Sequence, residues 1–166
     1  MSTRTRRWFA RLRKILLGSA LLAALEATFA AITVTESVTP DLGTLLGGAS
    51  GRNFILNTDG SVSGTDAADY LFGAVAGDLT VKKTGGSGSA NIVADNFSTT
   101  GGVSINAVPC KWNTDTATTC DGSGINVTLS PGQAKHLLVG VDLDTSQVHS
   151  SSDSPTATYD INVTLL

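Results

Sequence analysis

The chain is poor in the residues from which most catalytic sites are built. Its 166 residues include only two histidines, two cysteines, five Phe, two Trp and two Tyr. Nucleophilic catalysis requires a Ser or Cys beside a histidine that a carboxylate orients. His136 falls in an apolar run, His149 falls in a serine-rich stretch, and Val62 occupies the serine position of a G-x-S-x-G motif. We therefore predict no catalytic residues and a protein that is not an enzyme.

Recognisable cofactor and metal motifs are also missing. The run Gly85–Gly88 lacks the third glycine of a dinucleotide fingerprint and the Gly-Lys-Ser/Thr of a phosphate loop. Asp142 with Asp144, and Asp115 with Asp121, are oxygen donors of the kind that calcium prefers, but neither pair has the spacing of a known calcium loop. The sequence predicts no cofactor and no metal site, with these carboxylates solvated at the surface, and bound calcium is left as the alternative.

The first thirty residues have the three parts of a secretory signal peptide. A basic head precedes an apolar run, Ile15–Leu25, and Thr28-Phe29-Ala30 supplies small residues at positions −3 and −1 of a cleavage site. Glu26 interrupts the run before it reaches the roughly 20 residues of a spanning helix. We predict cleavage after Ala30 and export to the periplasm, the outer surface or the medium, with no stable membrane anchor. Arg6-Arg7 leaves the twin-arginine route open beside the favoured general secretory route.

Cleavage leaves an acidic chain. Of 11 Lys and Arg and 14 Asp and Glu, six basic residues and one acidic residue lie in the leader, so residues 31–166 carry 5 basic and 13 acidic side chains and a formal charge of −8. A nucleic-acid binder needs a basic patch, and these five cations are scattered. The composition excludes nucleic acid and anionic lipid as predicted partners, and the length of residues 31–166 suits one domain.

Residues 31–166 have the pattern of an all-β domain. Short alternating runs bounded by turn residues dominate, and no period of 3.6 is evident, which indicates a sandwich or a barrel. The most apolar run, Lys135–Leu143, is predicted to be a central strand. Cys110 and Cys120 are predicted to form one structural disulfide, because an even number of cysteines is typical of exported proteins and C-x9-C matches no zinc pattern.

Both ends of this domain are alternating segments. The predicted apolar face of the first comprises Ile32, Val34 and Val38, and that of the last comprises Tyr159, Ile161, Val163 and Leu165. Pro40 and a glycine-rich connector follow the first segment, so it is able to leave the domain. An open sheet edge is an aggregation hazard that donor-strand complementation removes. We therefore predict the first segment as donor strand and the last as the border of an acceptor groove; pairing of the first segment within its own domain is the alternative.

Short motifs across most of residues 31–166 resemble a family of small exported proteobacterial proteins. The motifs are Gly51-Arg52-Asn53-Phe54, Asp59–Gly64, Ala76–Val81, Leu138–Leu143 and Tyr159 with its terminal strand. The family, catalogued as domain of unknown function four-four-zero-two, is similar to chaperone–usher pilus subunits and spore-coat-U-like proteins. The resemblance implies an immunoglobulin-like, pilin-like β-sandwich and assembly rather than catalysis. Ala157-Thr158 and Leu165-Leu166 depart from the family, which tends to have a glycine before the terminal tyrosine and a closing aromatic residue.

These observations predict a signal peptide at residues 1–30 and a single β-sandwich at 31–166. The predicted function is that of an exported structural subunit of a cell-surface fibre or coat. Its predicted partners are further copies or related subunits, together with a periplasmic chaperone. The alternative is a monomeric periplasmic or secreted binding module for carbohydrate, built on Trp112 and the disulfide loop, and a small hydrolase ranks third.

Overall fold

Antiparallel β-structure makes up most of the protein. The computed structural model describes residues 30–45, 50–148 and 155–166. Their strands are β1 (Ile32–Val38), β2 (Thr44–Leu45), β3 (Arg52–Leu56), β4 (Val62–Ser63), β5 (Tyr70–Phe72), β6 (Gly77–Lys83), β7 (Gly88–Thr100), β8 (Val103–Ala107), β9 (Pro109–Trp112), β10 (Thr118–Thr119), β11 (Ile125–Leu129), β12 (Ala134–Val139), β13 (Val141–Thr145) and β14 (Thr156–Leu165). The only helical element in these ranges is a single 3-10 turn, Ala67–Asp69. The predicted all-β class is confirmed. The predicted signal peptide up to residue 29, and His149, lie outside the described residues.

The strands form four antiparallel sheets. The largest has five strands in the order β1-β6-β12-β9-β10, and a three-stranded sheet has the order β11-β7-β14. A four-stranded sheet, β4-β3-β13-β8, and a two-stranded sheet, β2-β5, complete the described part of the chain. Because most sheet neighbours are not consecutive in the chain, the order of strands in space is set by crossovers and not by simple hairpins.

The main core joins the five-stranded and the three-stranded sheets. Alternate residues of their inner strands supply its buried side chains: Val81, Leu137, Val139, Cys110 and Trp112 from the first sheet, and Ala90, Ile92, Ala94, Val127 and Leu129 from the second. In a strand, residues two apart share a face, so this alternation turns one face of each sheet toward the common core. On β6, Val81 belongs to this core and Leu79 packs against it.

At two places the chain passes from one sheet to another within a single residue. The predicted strand Lys135–Leu143 divides at Gly140 into β12, in the middle of the five-stranded sheet, and β13, inside the four-stranded sheet. A Cβ atom on Gly140 would lie 1.9 Å from the carbonyl oxygen of Leu56, so only glycine fits at this crossing. Val108 stands at the corresponding break between β8 and β9. β12 is central in its sheet, as predicted for this run. The prediction of one continuous strand is wrong, because the chain crosses between sheets at Gly140.

Thr58-Asp59-Gly60, whose Asp-Gly pair is typical of a hairpin turn, joins β3 and β4. Gly60 has a φ of +81°, which suits glycine at a tight turn. The Asp59 carboxylate accepts hydrogen bonds from the backbone N–H and the hydroxyl of Ser61, at 2.9 and 2.6 Å. These bonds favour the ionised form and lower the pKa of Asp59.

Candidate functional site

The candidate functional site includes the outer edge of β14. This strand is 10 residues long and pairs with β7 along its length, from Thr156 opposite Thr100 to Leu165 opposite Ala90. Among the described residues no strand pairs with its other side. An edge of this length exposes a row of unpaired backbone N–H and C=O groups, which is a template for a further strand.

The side chains of β14 alternate as the sequence predicts. Ile161, Val163 and Leu165 stand opposite Ala94, Ile92 and Ala90, all of which are buried in the main core. Residues directly opposite each other in an antiparallel pair share a face, so these side chains face the core, as does Tyr159, which packs against it. They are nevertheless incompletely covered, and Leu165 keeps 38% of its surface exposed.

The N-terminal segment, β1, lies next to β14. In the structure β1 pairs with β6 of its own chain, with Ile32 opposite Lys83 and Val34 opposite Val81. Because Val81 is fully buried, Ile32 and Val34 lie on the core-facing side of β1. Val34 is still 39% exposed. This pairing is the alternative left open by the sequence, and the role of the segment as a donor strand stays a prediction.

Val38 departs from its predicted face. A register shift between Glu36 and Val38 places Val38 opposite Asp78. The Asp78 carboxylate contacts the exposed His136 on the outer side of the sheet, with 2.9 Å between Asp78 Oδ1 and His136 Nδ1. A bulge inserts one extra residue and reverses the side on which later residues point. Ile32 and Val34 therefore share the core-facing side, whereas Val38, 38% exposed, lies on the other.

β1 and β14 come into contact across the side of the molecule, but no backbone pairing joins these two edge strands. We call this region the strand gap and define it by the core-facing residues of the two strands: Ile32, Val34, Glu36, Tyr159, Ile161, Val163 and Leu165. All are half-buried or exposed, whereas the inner strands next to them bury Val81 and Ile92 completely. The strand gap is thus an apolar surface lined on one side by a strand edge with free hydrogen-bonding groups.

Tyr159 anchors one end of the strand gap. Its hydroxyl donates a hydrogen bond to the carbonyl oxygen of Gly140 at 3.1 Å, which ties β14 to the crossing between β12 and β13. Burial raises the pKa of the Tyr159 phenol, and the negative charge of Glu36 raises it further. The phenol therefore stays neutral, and Glu36 must lie near enough to act on it electrostatically.

The disulfide is at the opposite side of the core. Cys110 and Cys120 are bonded, with 5.8 Å between their Cα atoms, and both are fully buried, in agreement with the prediction. The Cys120 N–H donates to the Val108 carbonyl at 2.9 Å, and its own carbonyl accepts from the Ala94 N–H at 2.8 Å. Backbone bonds from one residue thus join the two sheets on this side.

The aromatic side chains give little support to the alternative of a carbohydrate-binding module built on Trp112. Trp112 is 7% exposed and belongs to the core, so it presents no open platform for a sugar ring. Tyr70 is half-buried and accepts a hydrogen bond from the Ala74 N–H at 3.0 Å. The exposed aromatic side chains among the described residues are Phe72 and Phe97, at 67% and 47% exposure, and neither lies in the disulfide loop.

The predicted surface carboxylates contact an amide and a backbone N–H. The side-chain amide of Asn53 donates to Asp142 at 2.6 Å and to Asp144 at 2.9 Å, so these two aspartates do share one face of β13. Asp121 accepts from the Val108 N–H at 3.1 Å. In residues 30–45, 50–148 and 155–166 no group of three or more His, Cys, Asp or Glu side chains could hold a metal ion.

Lys83 is a buried cation that the sequence analysis did not single out. It is 3% exposed, and its ammonium donates to the carbonyl oxygen of Gly86. The signal was available, because Lys83 follows Leu79 and Val81 at the strand period of two and so belongs to their inward face.

Comparisons with known proteins do not identify a family or a function for this chain. No protein-family profile matches the chain, and no curated protein or solved structure is similar enough to count as a match. Across the described ranges, none of the helical structure has the length and apolar character needed to cross a bilayer.

Proposed function

We propose that this protein is an exported structural subunit of a cell-surface fibre or coat, and that subunits join when an extended segment of a neighbour adds to the free edge of β14. The observation that carries the proposal is the strand gap, where a long strand edge borders a half-covered apolar face. Strand addition satisfies both, because the backbone ladder supplies affinity and alternate side chains fill the gap.

The order of the strands supports an immunoglobulin-like sandwich that is short of one strand. Such a sandwich has strands A, B, E and D in one sheet and C, F and G in the other. Here β1, β6, β12 and β9 are neighbours in that order, and β7 pairs with β14. Assigned A to F along the chain, β1, β6, β7, β9, β12 and β14 follow the same sequence. The position of strand G is then the free edge of β14, inside the strand gap.

This assignment bears on the donor hypothesis for Ile32, Val34 and Val38. A β1 segment in the position of strand A already pairs along one edge with β6. Donation to a neighbour requires β1 to leave β6, and it requires Val38 to turn back toward the apolar face. We therefore keep the acceptor part of the hypothesis, at Tyr159, Ile161, Val163 and Leu165, as the part that the geometry supports better.

Electrophoresis of native surface material tests the proposal with matched variants. Unboiled samples in SDS are expected to give a ladder that collapses to monomer on boiling, since strand-added contacts resist detergent until heated. Val34→Asp and Leu165→Asp place a charge in the strand gap and are expected to abolish the ladder. Val75→Asp is the control, because Val75 is 45% exposed, similar to Val34, but lies outside the gap.

Val38→Asp separates the two roles of β1, because Val38 matches Val34 in type and exposure but lies on the outer face. A retained ladder supports β1 as a fixed wall of the acceptor, and a lost ladder supports β1 as a donor. Circular dichroism of each variant verifies folding. Wild-type protein that runs as a single monomer band before and after boiling would contradict the proposed function and favour the binding module.

A further inference from the structure

One carboxylate interrupts the apolar lining of the strand gap. Glu36 stands opposite Leu79, which packs against the main core, so Glu36 is on the same side of β1 as Ile32 and Val34. From β14 the gap is faced by Tyr159, Ile161, Val163 and Leu165. Glu36 is therefore the only side chain at the core-facing positions of the two strands that is charged at neutral pH.

Glu36 is unpaired within the described part of the chain. It is exposed, and neither ion pair recorded there includes it. Lys82, on the adjacent strand, stands opposite Thr33 and so points to the outer face, and the Lys83 ammonium donates to Gly86. Water solvates the carboxylate as long as the gap is open.

A strand laid into the gap would remove that water. A buried carboxylate without a partner is strongly unfavourable, whereas one that meets a cation with good geometry is not. We propose that the segment which completes the strand gap has alternating aliphatic side chains and presents one Lys or Arg side chain to Glu36. The inference rests on the proposed function and specifies the chemistry of the partner.

The same chemistry indicates that the donated segment comes from a different subunit of the same fibre or coat and not from a second copy, so the expected ladder contains other subunits beside this one. Residues 31–166 contain five cationic side chains, and all five lie in strands: Arg52 in β3, Lys82 and Lys83 in β6, Lys111 in β9 and Lys135 in β12. Each of these strands has a neighbour on both sides, so none is free to be donated. β1 and β14, the two alternating terminal strands, are edge strands and carry no cation.

Peptide binding to the purified protein tests this inference. The probes are labelled peptides of 10 residues, the length of β14, that alternate Val and Thr, with one Lys moved in turn through each Val position. A second set carries Glu in place of Lys, and a third keeps Val throughout. Fluorescence anisotropy gives the dissociation constants for wild type, Glu36→Gln and a control, Asp160→Asn. Asp160 lies on β14 but on its outer face, where it accepts a hydrogen bond from Asn96.

The expected result is one preferred Lys position, at which the Lys peptide binds wild type about tenfold more tightly than its Glu counterpart. Glu36→Gln should reduce this ratio to about twofold, and Asp160→Asn should leave it unchanged. The inference is overturned if Glu36→Gln retains the ratio, if Asp160→Asn reduces it equally, or if the all-Val peptide binds as well as the best Lys peptide. Failure of every alternating peptide to bind would instead overturn strand addition itself.

Discussion

The two sides of the main core are closed to very different degrees. On the side of the disulfide, Cys120 bonds to Cys110 and its backbone bridges Val108 and Ala94, and all four of these residues are buried. At the strand gap, Val34 and Leu165 face the same core and keep 39% and 38% of their surface exposed. The contrast teaches that exposure at the gap goes with its two edge strands and not with a lack of apolar residues.

Cavity-forming substitutions should give the largest difference in stability between the closed side and the strand gap. Leu137→Ala, in the middle of β12, removes a fully buried side chain and should lower the free energy of unfolding by about 3 kcal/mol. Leu165→Ala, at the gap, should lower it by about 1 kcal/mol, because much of that side chain is already in water. Urea denaturation measures both. Equal losses would mean that the gap is as well packed as the closed side.

Removing the disulfide tests the closed side directly. With a sequence separation of 10, replacing Cys110 and Cys120 by Ser should cost about 2.5–3 kcal/mol on the chain-entropy model. Because both cysteines are fully buried, reductant alone should leave them unreduced in the folded protein. Mass spectrometry after alkylation, with and without urea, measures this protection. Two alkyl groups on the untreated, folded protein would contradict both the bond and its burial.

Substitution of Tyr159 is expected to have the smallest effect on stability, and the pKa of its phenol makes stability depend on pH. Its pKa is raised by burial and then by Glu36, so the folded state holds the phenolic proton more tightly than the unfolded state does. This stabilisation is present at neutral pH and is lost as the pH rises above the unfolded pKa of about 10. Tyr159→Phe removes the bond to Gly140 and should cost about 1 kcal/mol.

The pH dependence is measured in Tyr70→Phe, in which Tyr159 is the only tyrosine. Its phenolate absorbance should appear only well above pH 10, and Glu36→Gln should bring the transition to lower pH. A transition at the pH of a free tyrosine would show that the phenol is not enclosed at the end of the strand gap.

The sequence predicted which side chains of β14 share a face better than it predicted the burial of other residues. The alternation of Tyr159, Ile161, Val163 and Leu165 identified one face of β14, because a strand repeats every two residues. The same rule failed at Val38, where a bulge reversed the side, and it was not applied to Lys83. The alternative of a binding module used Trp112 as a sugar platform, whereas the structure buries it, because its burial depends on residues that are distant in the chain.

By itself, the sequence determined the all-β class, the cysteine pair, the hairpin at Asp59-Gly60 and the apolar face of β14. These follow from residue type and from spacings of a few residues, which act locally. Only the tertiary structure decided that β1 pairs with β6, that the chain changes sheet at Gly140, and that β14 is left with a free edge. Such features depend on which distant strands become neighbours, and backbone hydrogen bonds, being the same for every residue type, leave no trace of that choice in the sequence.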